Sequence, residues 1–562
     1  INSDRMKETN LMKELQRLCH GSQEAVQSGS ALSPMDQYLH VERLIESDIR
    51  IKMDEISEQG GGLLLLVGSA GDGKSHIISN LKASGKYADF EFLNDATEGC
   101  SPSMNAVKTL KYTLQNFSDE RIEHTTDKIL VAINLGKLLD FVEDSEIKSR
   151  YTTFCNVAQS LAEGDQQTIH KTNKIKIISL SHQQIFELDT ETSDNTYPVS
   201  SRFLSCILSK IASKSENNPF YQAFLEDKVK GQNAIDPVAI NYELLQVTEI
   251  QNTIVKLLIE AIIRFNLLVT PREFLDFVYS ILVYPSWKTY RESKDFFSAL
   301  LPTMLLNGGE NKIQRAISLL DPIKCSCLSH DNNLAVLYST FDFNPQILQE
   351  ALGPKLIEEL SIILKKFYAN KDVNSRTQLA TLLFRLNHLF SYHSDSQAYK
   401  KFLKYLKGYY LKDGKAFHYL NHLVLNAIPR HYGSYIDKPN FIPLNIQGSH
   451  YKLFATLKMP SAKYDVHFNA NKPHIFDIAM NLNWTLEGNK IPLHIDYPLF
   501  EHLIELKNGK LATTYEGEKS LAFSNFVREL SQYSEAKEEV LILNDKNEII
   551  TFSETYGNIQ MA

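Results

Sequence analysis

A chain of 562 residues, 43% of them hydrophobic, has the apolar content for two to four cores, which excludes the disordered and fibrous classes. Its formal net charge of −8 excludes a global basic field, so any contact with nucleic acid must come from a local patch. Six cysteines are too sparse for a disulfide scaffold at this length.

Residues 1–58 read as an N-terminal helical lead-in. KELQRLCH and YLHVERLIESDIRIKMDEI carry apolar positions at a 3.6-residue period, with SGSALSP (28–34) between them. The opening INSDRMKETN is charged and lacks the apolar core of a signal peptide. LLLLV (63–67), after three glycines, is the short unbroken apolar run of a strand buried on both faces. A helix is predicted from Lys74 to about Ser84, then a strand over ADFEFLND (88–95). A helix follows over 101–117, with Ser101 as N-cap and Pro102 at its first position. KILVAINL (128–135) is a strand, 145–164 one helix, and KIKIISL (174–180) a further strand. This alternation predicts an α/β domain over 59–200, built on a parallel sheet with crossover helices. DTETSDNTYP (189–198) reads as an exposed loop.

From about residue 200 the pattern is almost wholly helical, divided into a lid-like region (201–290) and a further helical domain (291–434). In TIVKLLIEAIIRFNLLV (253–269), Lys256, Glu260 and Arg264 recur every four residues. They mark the polar stripe of an amphipathic helix rather than a membrane span. Residues 435–562 mix alternating runs such as YKLFATLKM with helical ones such as PLFEHLIELKNGK, and predict a small C-terminal α+β domain. EVLILNDKNEIITF (539–552) reads as two strands around a turn. A soluble, cytoplasmic protein with no membrane contact is expected.

GSAGDGKS fits G-x-x-x-x-G-K-[ST] in full: Gly68, Ser69, Ala70, Gly71, Asp72, Gly73, Lys74 and Ser75, with His76 next. Glycines let such a loop bring its N–H groups close to phosphate, and the following helix N-terminus adds partial positive charge. Lys74 would reach the β- and γ-phosphates of ATP, and Ser75 would ligate Mg. Binding alone does not imply hydrolysis, which asks for a carboxylate on a second strand. No strand here ends in an Asp-Glu pair; the best candidates are Asp95 for Mg and Glu98 for orienting water, against a plain polar turn. Asn134, ending a strand, either senses a γ-phosphate or caps the helix after it. Arg272, in Thr270-Pro271-Arg272, either stabilises phosphate charge or lies on the surface beside a helix start.

Three other patterns draw attention. Cys325-Ser326-Cys327 lacks the second ligand pair a tetrahedral metal site needs. The strip from Tyr399 to Lys415 interleaves lysines with aromatics, as a nucleic-acid groove does. The competing reading makes Lys401, Lys404 and Lys407 a solvated helix face over Phe402, Tyr405 and Leu406. Asp496 with Glu505-Leu506-Lys507 mimics a nuclease's Asp…Glu-x-Lys, but two-residue spacing on a helix points Glu505 and Lys507 apart.

The ordered runs YLHVERLIESDI (38–49), VGSAGDGKSHIISNLK (67–82), NDATEG (94–99), ILVAINLGKLLDF (129–141), SLSHQQIFEL (179–188), NNPFYQAF (217–224) and TPREFLDFVYSILV (270–283) resemble the DptF family. These are ATP-binding proteins of bacterial phosphorothioation-dependent DNA restriction. The likeness spans most of the first 290 residues and continues more weakly into the C-terminal part. It implies an antiviral role alongside DptG-like and DptH-like subunits, directed against DNA that lacks the sulfur mark. DNA contact is then direct or through those partners, and self-assembly into a homo-oligomer stays open. The family's phosphate loop carries over onto Gly68–Ser75; no nuclease site does.

Overall fold

The computed structural model describes residues 6–27, 33–94, 106–163, 174–180, 183–191, 197–230, 236–325, 331–332, 335, 373–390, 392, 394, 396–432, 441–444, 451–456, 460–464, 466–510, 517–533, 539–544, 548–555 and 558–561. It divides into two units. The first comprises Ile1–Phe186, Ser201–Ala261 and Leu267–His393; the second comprises Glu187–Ser200, Ile262–Asn266 and Ser394–Ala562.

In the first unit, Gly62–Val67 (β1), Glu91–Leu93 (β2), Lys128–Ile133 (β3) and Ile175–Ser179 (β4) form a parallel sheet in the order β2-β3-β1-β4. All six residues of β1 are buried, as a central parallel strand requires. Alternate β1 side chains serve two different layers. Leu64 and Leu66 pack with Ile45, Ile49, Met53 and Ile56 of helix Leu44–Glu58 and with Ile77, Ile78 and Leu81 of helix Lys74–Ala83. Leu63, Leu65 and Val67 face Leu138 and Phe141 of helix Leu135–Glu143, Ile147 of Ser145–Arg150, and Phe154 of Thr152–Glu163. Each fully buried leucine contributes about 1.5–3 kcal/mol. The sheet is therefore a stiff base for whatever leaves its carboxyl edge.

Two predicted helices are broken, each by a contact from distant sequence. The run over 145–164 is two helices, with Tyr151 at φ −131° and ψ 47° between them. Asp119 creates the second start: its carboxylate accepts from the amides of Thr152 at 2.7 Å and Thr153 at 3.0 Å. A cap from 33 residues away lies outside any local pattern. The run starting at Tyr38 divides into Pro34–Leu39 and Leu44–Glu58. Lys210 of helix Arg202–Ala212 donates to the carbonyls of Tyr38 at 2.7 Å and His40 at 2.6 Å. Tyr38 Oη donates back to the Lys210 carbonyl at 2.7 Å. These bonds satisfy carbonyls a continuous helix would otherwise use. The strand predicted over 88–95 narrows to Glu91–Leu93, and the predicted caps Ser101 and Pro102 lie outside the described residues.

The second unit holds a five-stranded antiparallel sheet formed by Phe441–Pro443, Lys452–Thr456, Glu539–Leu543, Ile549–Thr555 and Asn558–Met561. The predicted strand pair over 539–552 is present, with Leu543 opposite Ile549. A separate hairpin joins Met480–Leu486 to Asn489–Ile495. Its turn residues, Glu487 at φ 50° and Gly488 at φ 85°, are both left-handed. That geometry matches the twist of the flanking strands. Helices Gln397–Tyr410, Gly414–His431, Tyr497–Lys507 and Gly517–Ser531 belong to this unit as well. Among the described residues, no helix is long and apolar enough to cross a membrane.

Candidate functional site

The loop after β1 leaves the sheet at its carboxyl edge, where the neighbours of β1 lie on either side. Gly68 N still donates to Ile133 O of β3 at 3.2 Å, and Leu180 N donates to Val67 O at 2.8 Å. Such an edge, at a switch in strand connection, is where open α/β sheets take ligands. The chain then turns through Gly71 at φ +87° and Gly73 at φ +86°, values that L side chains resist. Space for a side chain is tight too. A Cβ on Gly71 would lie 3.0 Å from Thr270 Oγ1, and one on Gly73 would lie 3.2 Å from the Arg43 guanidinium. Gly73 is the N-cap of helix Lys74–Ala83 and offers no side chain to the helix amides. Those amides stay available to an anion. Gly73→Ala is expected to cost about 1–2 kcal/mol from the left-handed backbone alone, measured by denaturant unfolding.

The loop's own groups hold its shape. Lys74 Nζ donates to the carbonyls of Gly68 at 2.9 Å and Ser69 at 2.7 Å. Asp72 Oδ2 accepts from Ser69 N at 2.5 Å, and Arg43 donates to Asp72 O at 2.9 Å. Burial raises the Asp72 carboxyl above its ordinary range, against the lowering effects of the Ser69 amide, Lys74 and Arg43. Burial likewise lowers the Arg43 guanidinium. Arg43 also starts the helix Leu44–Glu58, where its amide donates to Glu46 Oε1 at 3.2 Å.

Beside the loop lies a cavity of about 470 Å³, within the range of roughly 300–1,000 Å³ usual for small-molecule sites. Its lining combines polar side chains, among them Lys74, Ser75, His76, Asn134, Arg43 and Arg272 with the carboxylates of Asp36 and Glu46, and apolar ones, Leu18, Met35, Leu39, Phe203, Ile207 and Leu275. Cationic and apolar groups in one lining suit a ligand with an anionic tail and an apolar ring system. Ala70, Gly71 and Gly73 also line it, whereas Gly68, Ser69 and Asp72 shape the loop behind.

Asn134 serves as the helix cap, its Oδ1 accepting from Gly136 N at 2.9 Å, and it also lines the cavity. The two sequence readings of this residue are therefore compatible. Thr270 caps the helix Pro271–Leu282 through Glu273, which places Arg272 in its first turn beside Gly71. Among the described residues no carboxylate pairs with Arg272, and it lines the cavity. Asp95 and Glu98 lie outside the described residues.

Sequence reasoning missed the wall contributed by residues before the loop. His40 Nδ1 meets His76 Nε2 at 2.9 Å, and Asn80 Nδ2 meets His40 Nε2 at 3.1 Å and Glu46 Oε2 at 3.3 Å. The signal available was the YLHVERLIE run, whose His and Arg sit at the break between two helices. Burial first, then His40, lowers His76 to about 4. An unfolded histidine titrates near 6.5, so on acidification the unfolded chain takes a proton that the folded chain refuses. The His76 contribution is complete above pH 6.5 and is lost as pH falls toward 4. At pH 5 the loss is about 2 kcal/mol relative to pH 7.5. The difference between wild type and His76→Gln in urea unfolding at the two pH values is the measurement. The variant comparison is needed because burial also lowers His431 to about 4.

The other sequence patterns resolve differently. Lys407 is buried, which corrects the solvated-face reading at that position, whereas Lys401 and Lys404 are exposed. The stripe is narrower because Lys407 sits in the final turn of its helix, beside the buried Leu406 and Gly408. Asp496 caps helix Tyr497–Lys507 through Leu499 N at 3.0 Å, and Glu505 pairs with Lys510 at 2.9 Å, so these carboxylates have structural work. Cys327 lies outside the described residues, and among those residues no group of three or more His, Cys, Asp or Glu could hold a metal ion. Compared with known proteins, the chain matches no family model, no curated protein and no solved structure.

Proposed function

We propose that this chain binds ATP with Mg at the Gly68–Ser75 loop, as a P-loop nucleotide-binding protein. The observation that carries the reading is the cavity beside that loop. It joins Lys74, Ser75, Asn134 and Arg272 to an apolar wall, at the carboxyl edge of a parallel sheet. Lys74 would exchange its two loop carbonyls for phosphate oxygens, and Arg272 would neutralise charge near the γ-phosphate. Ser75 would ligate Mg together with Asp95, and Glu98 would orient water. The apolar side chains would take the base.

The wider role rests on the family resemblance. The chain then acts in the cytoplasm as the ATP-dependent component of a phosphorothioation-dependent restriction complex, with DptG-like and DptH-like partners. A second reading is favoured by one observation: β3, the neighbour of β1, is followed by the amide Asn134 rather than a carboxylate. In that reading ATP is held as a structural ligand and turned over negligibly. Titration with Mg·ATP and Mg·GTP tests the site, and no saturable binding of either would overturn it. Turnover in the assembled complex, with unmodified and with phosphorothioated DNA, tests the role. ATP bound in every assembly but never hydrolysed would establish the second reading.

A further inference from the structure

The second unit carries a cluster of exposed positive charge that the nucleotide site does not use. Helix Gln397–Tyr410 packs on helix Gly414–His431, and both pack on Tyr497–Lys507. Where they meet, the rings of Tyr405 and Tyr419 stack in parallel, 4.0 Å apart and within 2° of coplanar alignment. Lys404 Nζ lies 5.7 Å from the Tyr405 ring centre, and Lys507 Nζ lies 4.6 Å from that of Tyr419. The stack thus holds an ammonium group from each of two helices. Lys401 is one turn before Tyr405, and Lys415 one turn before Tyr419.

All four lysines are exposed. Among the described residues none of the four has a carboxylate within ion-pair distance; the nearby Glu505 is taken by Lys510, and Asp413 caps its helix through Lys415 N. In a chain of net charge −8, four exposed lysines, two of them against the rings of one tyrosine stack, run against the general sign. Lysine loses considerable rotamer freedom on binding, and resting two of the four on ring faces lowers that cost. A surface of this kind is complementary to a polyanion.

We propose that this face binds the phosphodiester backbone of a nucleic-acid duplex, without reading its sequence. A duplex is favoured over a single strand because the tyrosine faces are already occupied, by each other and by lysines. No open platform is left among them for an unstacked base. The contacts are to phosphate, which positions but does not specify. This proposal stands independently of the nucleotide site, being argued from charge and packing in the second unit alone.

The test uses the full chain with fluorescent 20-base-pair duplexes of DNA and of RNA, the matching single strands, and poly-glutamate. Four phosphate contacts predict that duplex affinity falls about 100-fold between 50 and 200 mM salt. Lys401→Glu with Lys404→Glu should weaken binding at least about 10-fold and flatten the salt slope by about 2. Lys404→Gln with Lys507→Gln should flatten it similarly without reversing charge. Circular dichroism of each variant checks that the fold is kept, which exposed positions permit. Lys74→Ala should leave duplex affinity unchanged, so failure here and failure of the nucleotide reading are separable. Preference between the DNA and RNA arms identifies the duplex. Undiminished binding in both lysine variants, tighter binding of single strands, or equal binding of poly-glutamate would each overturn the proposal.

Discussion

Lys74→Ala is expected to weaken Mg·ATP binding by at least about 100-fold, equivalent to about 2.7 kcal/mol, while leaving the protein folded. The two halves of that expectation have separate causes. The ammonium group donates to the Gly68 and Ser69 carbonyls at the protein surface, where water can replace it. Losing those bonds costs stability on the order of 1 kcal/mol. With nucleotide bound, the same group would face phosphate oxygens beside an apolar wall, and no second lysine lines the cavity to substitute for it. Calorimetric titration reports the affinity and urea unfolding reports the stability. Wild-type affinity in a folded Lys74→Ala protein would remove the phosphate loop from the function.

Asp95→Ala is expected to lower ATP turnover at least about 100-fold while ATP binding changes much less. In the sequence Asp95 stands two residues past Leu93, the last residue of β2. Removing the carboxylate would loosen the metal where charge develops in the reaction, more than where the base and phosphates are held. Steady-state phosphate release, measured in the assembled complex beside a binding titration, checks the split. Turnover that survives in Asp95→Ala would move the metal-holding role elsewhere; equal loss of binding and turnover would make Asp95 structural.

The parts of the fold legible in the sequence are those written in local order. LLLLV between glycines could only be buried, and Gly73 occupies a left-handed position that the motif spacing marks, whereas the left-handed Gly71 falls at a position the motif leaves open. The start of helix Pro271–Leu282 was readable because Thr270, Pro271 and Glu273 supply its cap within four residues. The hairpin partner Asn489–Ile495 was less legible, since its Glu-Gly turn lacks the usual Asn-Gly signal.

Local sequence order alone locates a glycine loop with a lysine and a hydroxyl after a buried strand, in a chain without global positive charge. Tertiary structure alone decided what surrounds that loop. Arg43 and His40 lie beside it where the helix carrying Lys210 is folded against the segment before β1, Lys210 holding the carbonyls of Tyr38 and His40. Likewise Asp119 ends one helix and begins another from 33 residues away. The physical reason is common to both. Hydrophobic period and turn chemistry act within a few residues, whereas a lysine that satisfies a distant carbonyl, or a carboxylate that caps a distant helix, exists only once packing has brought them together.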